Sequence, residues 1–204
     1  MNDFPARWVR AFVTEVSLSE AHLGDLDRQA GDGDFGTNIS TATRHAAVEM
    51  DAAVEHSASS PFAALSRGFL GTGGTSGPLF ALWFNAIAQA ISGEFTVVNL
   101  AAGVRDGLQG VKRLGGAEVG NKTMVDAMEP AALSLAESSA ARASVTEALV
   151  VAARAAQAGA DSTKGMKASR GRASYLGNRA CSVPDPGAVA VALFFAVGAR
   201  EAGA

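Results

Sequence analysis

Apolar side chains recur at the spacing of one helix face in eight successive segments of this 204-residue chain. This period limits the fold more than any other feature of the sequence, because a strand would need an alternation of two. Alanine is abundant, and aromatic residues make up only 6% of the chain. Both properties favour close-packed helices over strands, which are enriched in aromatic and β-branched residues. The sequence therefore predicts an all-α fold.

Capping residues and glycines separate the predicted helices. The first runs from about Phe4 to Leu26, with a break near Ser17 to Ser19. The second helix is a stripe from Ile39 to Val54 that Thr37 or Asn38 caps, the third runs from Ser60 to Phe69, and the fourth runs from Leu79 to Ile87. The fifth is capped by Thr96 and closed by Gly115 and Gly116, and the sixth runs from a Thr123–Asp126 capping box to Ser138. The seventh runs from a Ser144–Glu147 capping box to Thr163, and the eighth runs from Pro186 to Val197 with Asp185 as its cap.

The connections between these helices fall into two classes. The length suits one domain, residues 1–204. In an antiparallel up-and-down bundle successive connections alternate ends, so the first, third, fifth and seventh meet at one end. Those four are rich in glycine or charge, whereas the other three are short and polar. We therefore expect a composite site at one rim of the bundle.

Three aspartates, Asp27, Asp32 and Asp34, crowd the first of these connections among interleaved glycines. Carboxylates this close repel one another and normally need a cation or wide exposure to solvent. The segment Gly31–Gly36 formally matches a dinucleotide fingerprint, but no strand precedes it, and an EF-hand would need a glutamate that is missing. A solvated acidic turn remains the alternative, and we prefer a Mg²⁺ site completed by phosphate oxygens and water.

The glycine-rich segment Gly71–Gly77 lacks the lysine of a P-loop. Its backbone N–H groups can nevertheless approach an anion, with the hydroxyls of Thr75 and Ser76 at a helix start. A flexible linker explains the segment equally well. In the next connection, beside Gly115, the side chain of Met124 can pack on an aromatic base, although core packing is the better interpretation of Met124 in isolation.

The last connection is basic, with five cationic residues: Lys164, Lys167, Arg170, Arg172 and Arg179. If it faces the aspartates, Arg172 can bind phosphate oxygens bidentately and stabilise charge during phosphoryl transfer. Solvated side chains are the alternative, which we prefer for Lys164 and Lys167.

Charge and cysteine usage exclude several classes of partner. The formal net charge is −3, which offers no basic surface for nucleic acid or a membrane. Cys181 is the single cysteine, so no internal disulfide can form. The first residues lack a secretory pattern, and no apolar run is long enough to span a bilayer. These features predict a cytoplasmic protein without nucleic-acid or membrane partners.

Four stretches resemble one known family in content and order: Leu26–Asn38, Gly73–Leu79, Gly120–Met124, and Gly171–Gly177 with Asp185–Gly187. They are similar to DhaL, the nucleotide-binding subunit of bacterial dihydroxyacetone kinase. The resemblance implies an eight-helix antiparallel barrel that holds ADP or ATP and two Mg²⁺ at one rim. It implies that the metal ligands are Asp27, Asp32 and Asp34, and that Arg172 is catalytic. The implied nucleotide-binding residues are Phe35, Gly36, Thr37, Asn38, Thr75, Ser76, Gly115, Met124, Arg172, Asp185, Pro186 and Gly187.

The resemblance also implies a reaction and partners. A subunit of this family transfers a phosphoryl group to dihydroxyacetone or a related ketose held on a separate DhaK-type subunit. In some systems a DhaM-type phosphotransferase protein recharges bound ADP, and in others ATP is the direct donor. The 204 residues hold no sugar-binding domain, which fits the separate-subunit arrangement, and a homodimer is a further candidate assembly. The alternatives are a Mg²⁺-dependent phosphohydrolase and a non-catalytic nucleotide-sensing module.

Two positions depart from the family pattern. Phe35 replaces the common histidine, so only its backbone N–H remains for a phosphate. Asn121 replaces the usual aspartate and removes a charge near the rim. Both differences indicate a different sugar, such as a tetrose, or a different phosphoryl donor.

Overall fold

The computed structural model describes residues 3–53, 57–91, 93–171, 174 and 181–203. Over these residues the chain forms eight α-helices and no strand. The helices are α1 (Phe4–Ala30), α2 (Phe35–Ala52), α3 (Ser60–Leu70), α4 (Ser76–Ala90), α5 (Val97–Gly115), α6 (Val125–Ala140), α7 (Val145–Ser162) and α8 (Pro186–Glu201). The prediction of an all-α fold with eight helices in this order is confirmed.

The first two helices differ from the prediction at the ends that face each other. Helix α1 has no break near Ser17 to Ser19 and continues to Ala30, so Asp27 lies on its last turn. Helix α2 begins at Phe35, because the N–H of Asn38 already bonds the carbonyl of Asp34 at 2.9 Å in the helical pattern. The prediction that Thr37 or Asn38 caps α2 was therefore wrong, since both lie inside its first turn.

Most other predicted helix starts are confirmed. Thr96 caps α5, Ser144 and Glu147 form the complete capping box of α7, and Asp185 caps α8 by accepting the N–H of Ala188 at 2.8 Å. The box predicted at Thr123 and Asp126 forms only in part. The Thr123 N–H donates to the Asp126 carboxylate at 2.8 Å, but α6 starts later, after Met124, whose apolar side chain cannot cap.

Each helix packs against the next along the chain, and α8 packs against α1, so the helix contacts close into a ring. Glycines let neighbouring backbones touch. A Cβ atom on Gly36 would lie 2.2 Å from the carbonyl oxygen of Glu20, and one on Gly159 would lie 2.2 Å from that of Asp126. The ring is the order of contacts that an up-and-down barrel requires; the antiparallel barrel itself stays a prediction.

A cluster of aromatic side chains forms part of the buried core. Trp8 of α1 is fully buried, stacks on Phe194 of α8 with ring centroids 4.4 Å apart, and donates its indole N–H to the Phe194 carbonyl at 2.8 Å. Trp83 and Phe84 of α4 also contact Phe194. The cluster therefore joins helices that are distant from one another along the chain. No helix of the described ranges is long and apolar enough to cross a membrane.

Candidate functional site

One pocket collects residues from the connections α1–α2, α3–α4, α5–α6 and α7–α8. These are the four connections that the sequence singles out. The predicted site residues that line the pocket are Asp27, Asp32, Asp34, Phe35, Asn38, Thr75, Ser76, Gly115, Met124, Asp185, Pro186 and Gly187. Their assigned roles as ligands of metal or nucleotide remain predictions, but the structure brings them together.

Three predicted site residues stand apart from this set. Gly36 packs its backbone against that of α1, at Glu20. Thr37 is exposed, and its hydroxyl donates to a carboxylate oxygen of the same residue, Glu20, at 3.4 Å. Neither lines the pocket. Arg172, the predicted catalytic residue, lies outside the described residues, and its role stays a prediction.

The three aspartates all line the pocket. Oδ2 of Asp27 accepts the backbone N–H of Phe35 at 3.0 Å, which ties the last turn of α1 to the start of α2. In the described part of the chain no three His, Cys, Asp or Glu side chains are grouped to hold a metal by themselves. The donor set nevertheless fits Mg²⁺ chemically, because Mg²⁺ binds one or two carboxylates and takes its other oxygens from water and phosphate.

Two helices begin at the pocket. Ser76 is the first residue of α4, preceded by Thr75 and by Gly74, whose φ of 87° suits glycine. Pro186 and Gly187 begin α8. The first N–H groups of a helix have no acceptor within the helix, and its dipole favours negative charge there. Both helix starts therefore suit an anionic ligand.

Apolar side chains form another part of the lining, contributed by Phe35, Leu79, Val111, Ala117, Met124 and Val125. Phe35 is 8% exposed, with its ring 6.3 Å from that of Phe80. Met124 is 5% exposed, so it belongs to the core and to the pocket at once, and the two interpretations of this residue do not compete. Such a wall suits a flat apolar group of a ligand.

A buried carboxylate organises the α5–α6 connection. Asp126 accepts the N–H of Gly120 at 2.5 Å and that of Thr123 at 2.8 Å. Between them Lys122 adopts a φ of 59°, which is uncommon for a residue with a side chain. Its ammonium donates to the carbonyl oxygens of Thr163 at 2.7 Å and Val183 at 2.5 Å. Burial lowers the pKa of Lys122, and the charge of Asp185 opposes this shift.

Asp185 connects α7 to the start of α8. Its N–H donates to the hydroxyl of Thr163 at 2.8 Å, and its carboxylate caps α8 at Ala188. Burial raises the pKa of Asp185 to about 7, although the bond from Ala188 and the charge of Lys122 both act to lower it. The charges of Asp126 and Asp27 raise it further. The pocket thus holds a carboxyl group that gains or loses its proton near neutral pH.

Sequence reasoning missed several lining residues. Lys122 was part of the quoted stretch Gly120–Met124 but received no role, and a single lysine in a polar connection gives no signal that it is buried. Arg170 and Gly171 also line the pocket, where the N–H of Ser169 donates to the Asn121 carbonyl at 3.2 Å. The basic composition of this connection was the available signal for Arg170.

Comparisons with family models and with known proteins agree on one family for this chain. The model of the DAK2 domain matches residues 29–199. The ADP-binding subunit DhaL of the PEP-dependent dihydroxyacetone kinase of Escherichia coli is 37% identical over 187 residues, covering 90% of this chain and 89% of that protein. Triokinase/FMN cyclase of Mus musculus is 36% identical over 190 residues, covering 91% of this chain but 32% of that protein. The chain thus spans about a third of the triokinase relatives.

A solved structure agrees with these matches. The crystal structure of the dihydroxyacetone kinase from C. freundii in complex with AMP-PNP and Mg²⁺ superposes with a TM-score of 0.72 at 31% identity, covering 98% of this chain and 34% of that one. The resemblance to DhaL drawn from the four sequence stretches is therefore confirmed. The matched region contains all four pocket-forming connections, although Asp27 on the last turn of α1 precedes it, and it shows that the chain belongs to the DAK2 domain family.

Proposed function

We propose that this chain is the nucleotide-binding part of a kinase of the dihydroxyacetone kinase type. The observation that carries the proposal is the meeting of four connections in one pocket, which is lined by three aspartates and by the starts of α4 and α8. The relative from E. coli is named an ADP-binding subunit, and the solved relative holds AMP-PNP and Mg²⁺. Both names support a nucleotide in the corresponding pocket of this chain.

The aspartates are the residues that would hold metal in this proposal. Asp27, Asp32 and Asp34 line the pocket together and offer only oxygen ligands. Two Mg²⁺ ions held there would neutralise charge on the phosphates of the nucleotide. The bond from the Phe35 N–H fixes the Asp27 carboxylate in place before any ligand binds, which lowers the cost of ordering it.

The rest of the lining would bind the nucleotide itself. Thr75 and Ser76 present hydroxyl and N–H groups to phosphate oxygens at the start of α4, and Gly187 does the same with its N–H at the start of α8. Phe35 and Met124 would cover the base. Arg172 would stabilise the charge that develops during transfer, as an arginine can through bidentate contacts.

The acceptor and partners extend the proposal beyond this pocket. We expect the phosphoryl group to pass to dihydroxyacetone, or to a related ketose such as a tetrose, held on a DhaK-type subunit. The donor is ATP or a DhaM-type phosphoprotein, and a homodimer is a candidate assembly. The name of the relative from E. coli supports a subunit of a larger kinase.

Titration calorimetry with ADP tests the nucleotide site. The wild-type protein should bind ADP when Mg²⁺ is present and lose most of this affinity in EDTA. Asp32→Ala should lose it in both conditions, because the carboxylate no longer contributes to the metal site. Asp106→Ala makes the same change of charge at an exposed residue that pairs with Arg105 on α5, and it should bind as wild type. Equal binding by all three proteins with and without Mg²⁺ would refute the site.

Activity assays separate the kinase from its alternatives. With a cognate DhaK-type subunit and ketose, phosphoryl transfer excludes a purely sensing module. Rapid phosphate release from ATP by the isolated chain would instead favour the hydrolase. Native mass spectrometry identifies the donor, since retained ADP indicates recharging by a phosphoprotein and an empty site indicates direct use of ATP.

A further inference from the structure

Two charged side chains among the described residues have almost no surface exposed to solvent, and both belong to the α5–α6 connection and the first turn of α6. They are Lys122, 1% exposed, and Asp126, 3% exposed. A buried charge loses its hydration and persists only where hydrogen bonds compensate it. The N–H groups that Asp126 accepts explain its burial. The burial of Lys122 needs a separate explanation.

The ammonium of Lys122 closes the base of what we call the basic segment, which means here the described residues 163–171, 174 and 181–183 between α7 and α8. Its two acceptors are the carbonyls of Thr163 and Val183, which lie at the two ends of this segment. The N–H of Gly165 donates to the Cys181 carbonyl at 2.8 Å and closes the same base. One side chain from another connection therefore joins both ends of the basic segment.

The same contacts reach the start of α8. Thr163, which accepts from Lys122 through its carbonyl, also accepts the Asp185 N–H through its hydroxyl. Asp185 in turn caps α8. Further along the basic segment, Ser169 donates its N–H to the carbonyl of Asn121, the residue before Lys122. The described part of the basic segment is thus attached to the α5–α6 connection at its base and again beside Arg170.

We infer that Lys122 is a positioning residue whose ammonium holds the basic segment and the start of α8 against the α5–α6 connection, so that Arg170 and Gly187 face the pocket. The inference rests on the proposed function for the identity of the ligand. Lys122 acts through the two carbonyls that it binds, and an ammonium, a compact charge with three donors, suits two converging carbonyls better than a planar guanidinium does.

Hydrogen exchange without nucleotide tests the attachment directly. Lys122→Met keeps an unbranched side chain and removes the ammonium, whereas Lys164→Met removes the same charge from an exposed position of the basic segment. In Lys122→Met the amides of Gly165, Ser169 and Asp185 should exchange at least about tenfold faster than in wild type, because a hydrogen-bonded charge is lost. Amides of α1 to α4 should be unchanged, and Lys164→Met should match wild type throughout.

ADP titration of the same variants tests the consequence for the pocket. Lys122→Met should bind ADP at least about tenfold more weakly, and Lys164→Met should stay within about twofold of wild type. Unchanged exchange and unchanged ADP affinity in Lys122→Met would overturn the inference. A wild-type protein that binds no ADP would instead refute the proposed function, while the exchange rates would still decide whether Lys122 anchors the segment.

A second variant and the unaltered protein cover the case in which Lys122→Met does not fold. Lys122→Gly removes the ammonium and adopts the φ of 59° without strain. Added butylammonium should restore slow exchange to Lys122→Gly if the ammonium is the cause, and failure to restore it would count against the inference. In wild type, the three amides should open together at one rate, and unrelated rates would overturn it.

Discussion

Oδ2 of Asp27 accepts the backbone N–H of Phe35 at 3.0 Å, and this bond joins the last turn of α1 to the first residue of α2. It closes a connection of four residues, 31–34, which contains the other two aspartates of the pocket. A carboxylate on the last turn of a helix is disfavoured by the helix dipole, and the Phe35 N–H offsets that effect. From the sequence we predicted that the Phe35 N–H is available to a phosphate, but in the structure this N–H already donates to Asp27.

Substitutions at Asp27 separate this bond from the charge. Asp27→Asn keeps a carbonyl oxygen for the Phe35 N–H, so the free energy of unfolding should change by no more than about 1 kcal/mol. Asp27→Ala removes the acceptor and should cost about 1.5–3 kcal/mol. Both variants should lose Mg²⁺-dependent ADP binding. Urea denaturation and calorimetry check the two properties, and equal stability of the two variants would show that the bond contributes little.

Gly36 provides a test of helix packing rather than of binding. A Cβ atom there would lie 2.2 Å from the Glu20 carbonyl oxygen and 2.7 Å from the Gly24 nitrogen, and both are backbone atoms of α1 that cannot move alone. Gly36→Ala should therefore lower the free energy of unfolding by about 1–3 kcal/mol. Gly73→Ala is the control, because its Cβ meets nothing within 4 Å, and it should stay within about 0.5 kcal/mol of wild type. A neutral Gly36→Ala in urea denaturation would contradict the close approach of α1 and α2.

The sequence predicted features that depend on local chemistry. Helical spacing, capping residues such as Ser144 and Asp185, and closing glycines act within a few residues, so they can be recognised without the fold. Because successive connections alternate between the two ends of a bundle, the sequence also predicted that Asp32, Ser76 and Gly187 lie at the same end. In the structure all three line one pocket. The predicted helix ends beside the acidic turn were wrong, since α1 continues to Ala30 and α2 already begins at Phe35. The Asp27–Phe35 bond that joins these ends links residues eight apart, beyond the reach of a local pattern.

Features that depend on long-range contacts were not predictable in this way. Lys122 meets Thr163 and Val183, which are 41 and 61 residues away, and nothing in its neighbourhood indicates these partners. Gly36 belongs to a glycine-rich stretch that is typical of a binding loop, but its backbone packs against α1. A glycine can serve either to bind a ligand or to let two helices approach closely, and the sequence alone does not distinguish the two. Local pattern therefore identifies which connections form the site, whereas the contacts across the ring decide what each residue within them does.

Phe35 is the position where this chain departs most clearly from the family pattern. Its ring is buried beside Phe80, so Phe35→His and Phe35→Leu should each lower the free energy of unfolding, by about 1–3 kcal/mol. The imidazole alone can donate to a phosphate oxygen. Phe35→His should therefore bind ADP more tightly than Phe35→Leu, as measured by calorimetry. Equal affinity of the two variants would show that a polar side chain at this position contributes nothing to the pocket.

The raised pKa of Asp185 predicts how stability depends on pH. The ordinary value is 3.8 and the value in the fold is about 7, so between these limits the native state keeps a proton that the unfolded chain has lost. The contribution of Asp185 to the free energy of unfolding is complete below its pKa in the unfolded chain, and it is lost as the pH rises through its pKa in the fold. Asn also caps helices well but does not titrate, which makes Asp185→Asn the matched variant.

We therefore expect the stability difference between wild type and Asp185→Asn to change with pH in one direction. The free energy of unfolding of wild type, relative to the variant, should fall as the pH rises from about 4 to about 8. Urea denaturation across this range without nucleotide measures it. Because the charge of Lys122 opposes the shift, Lys122→Met should raise the pKa of Asp185 further and move the fall to higher pH. A difference that stays constant with pH would mean that Asp185 is ionised throughout, and that the protein stabilises its charge at the start of α8.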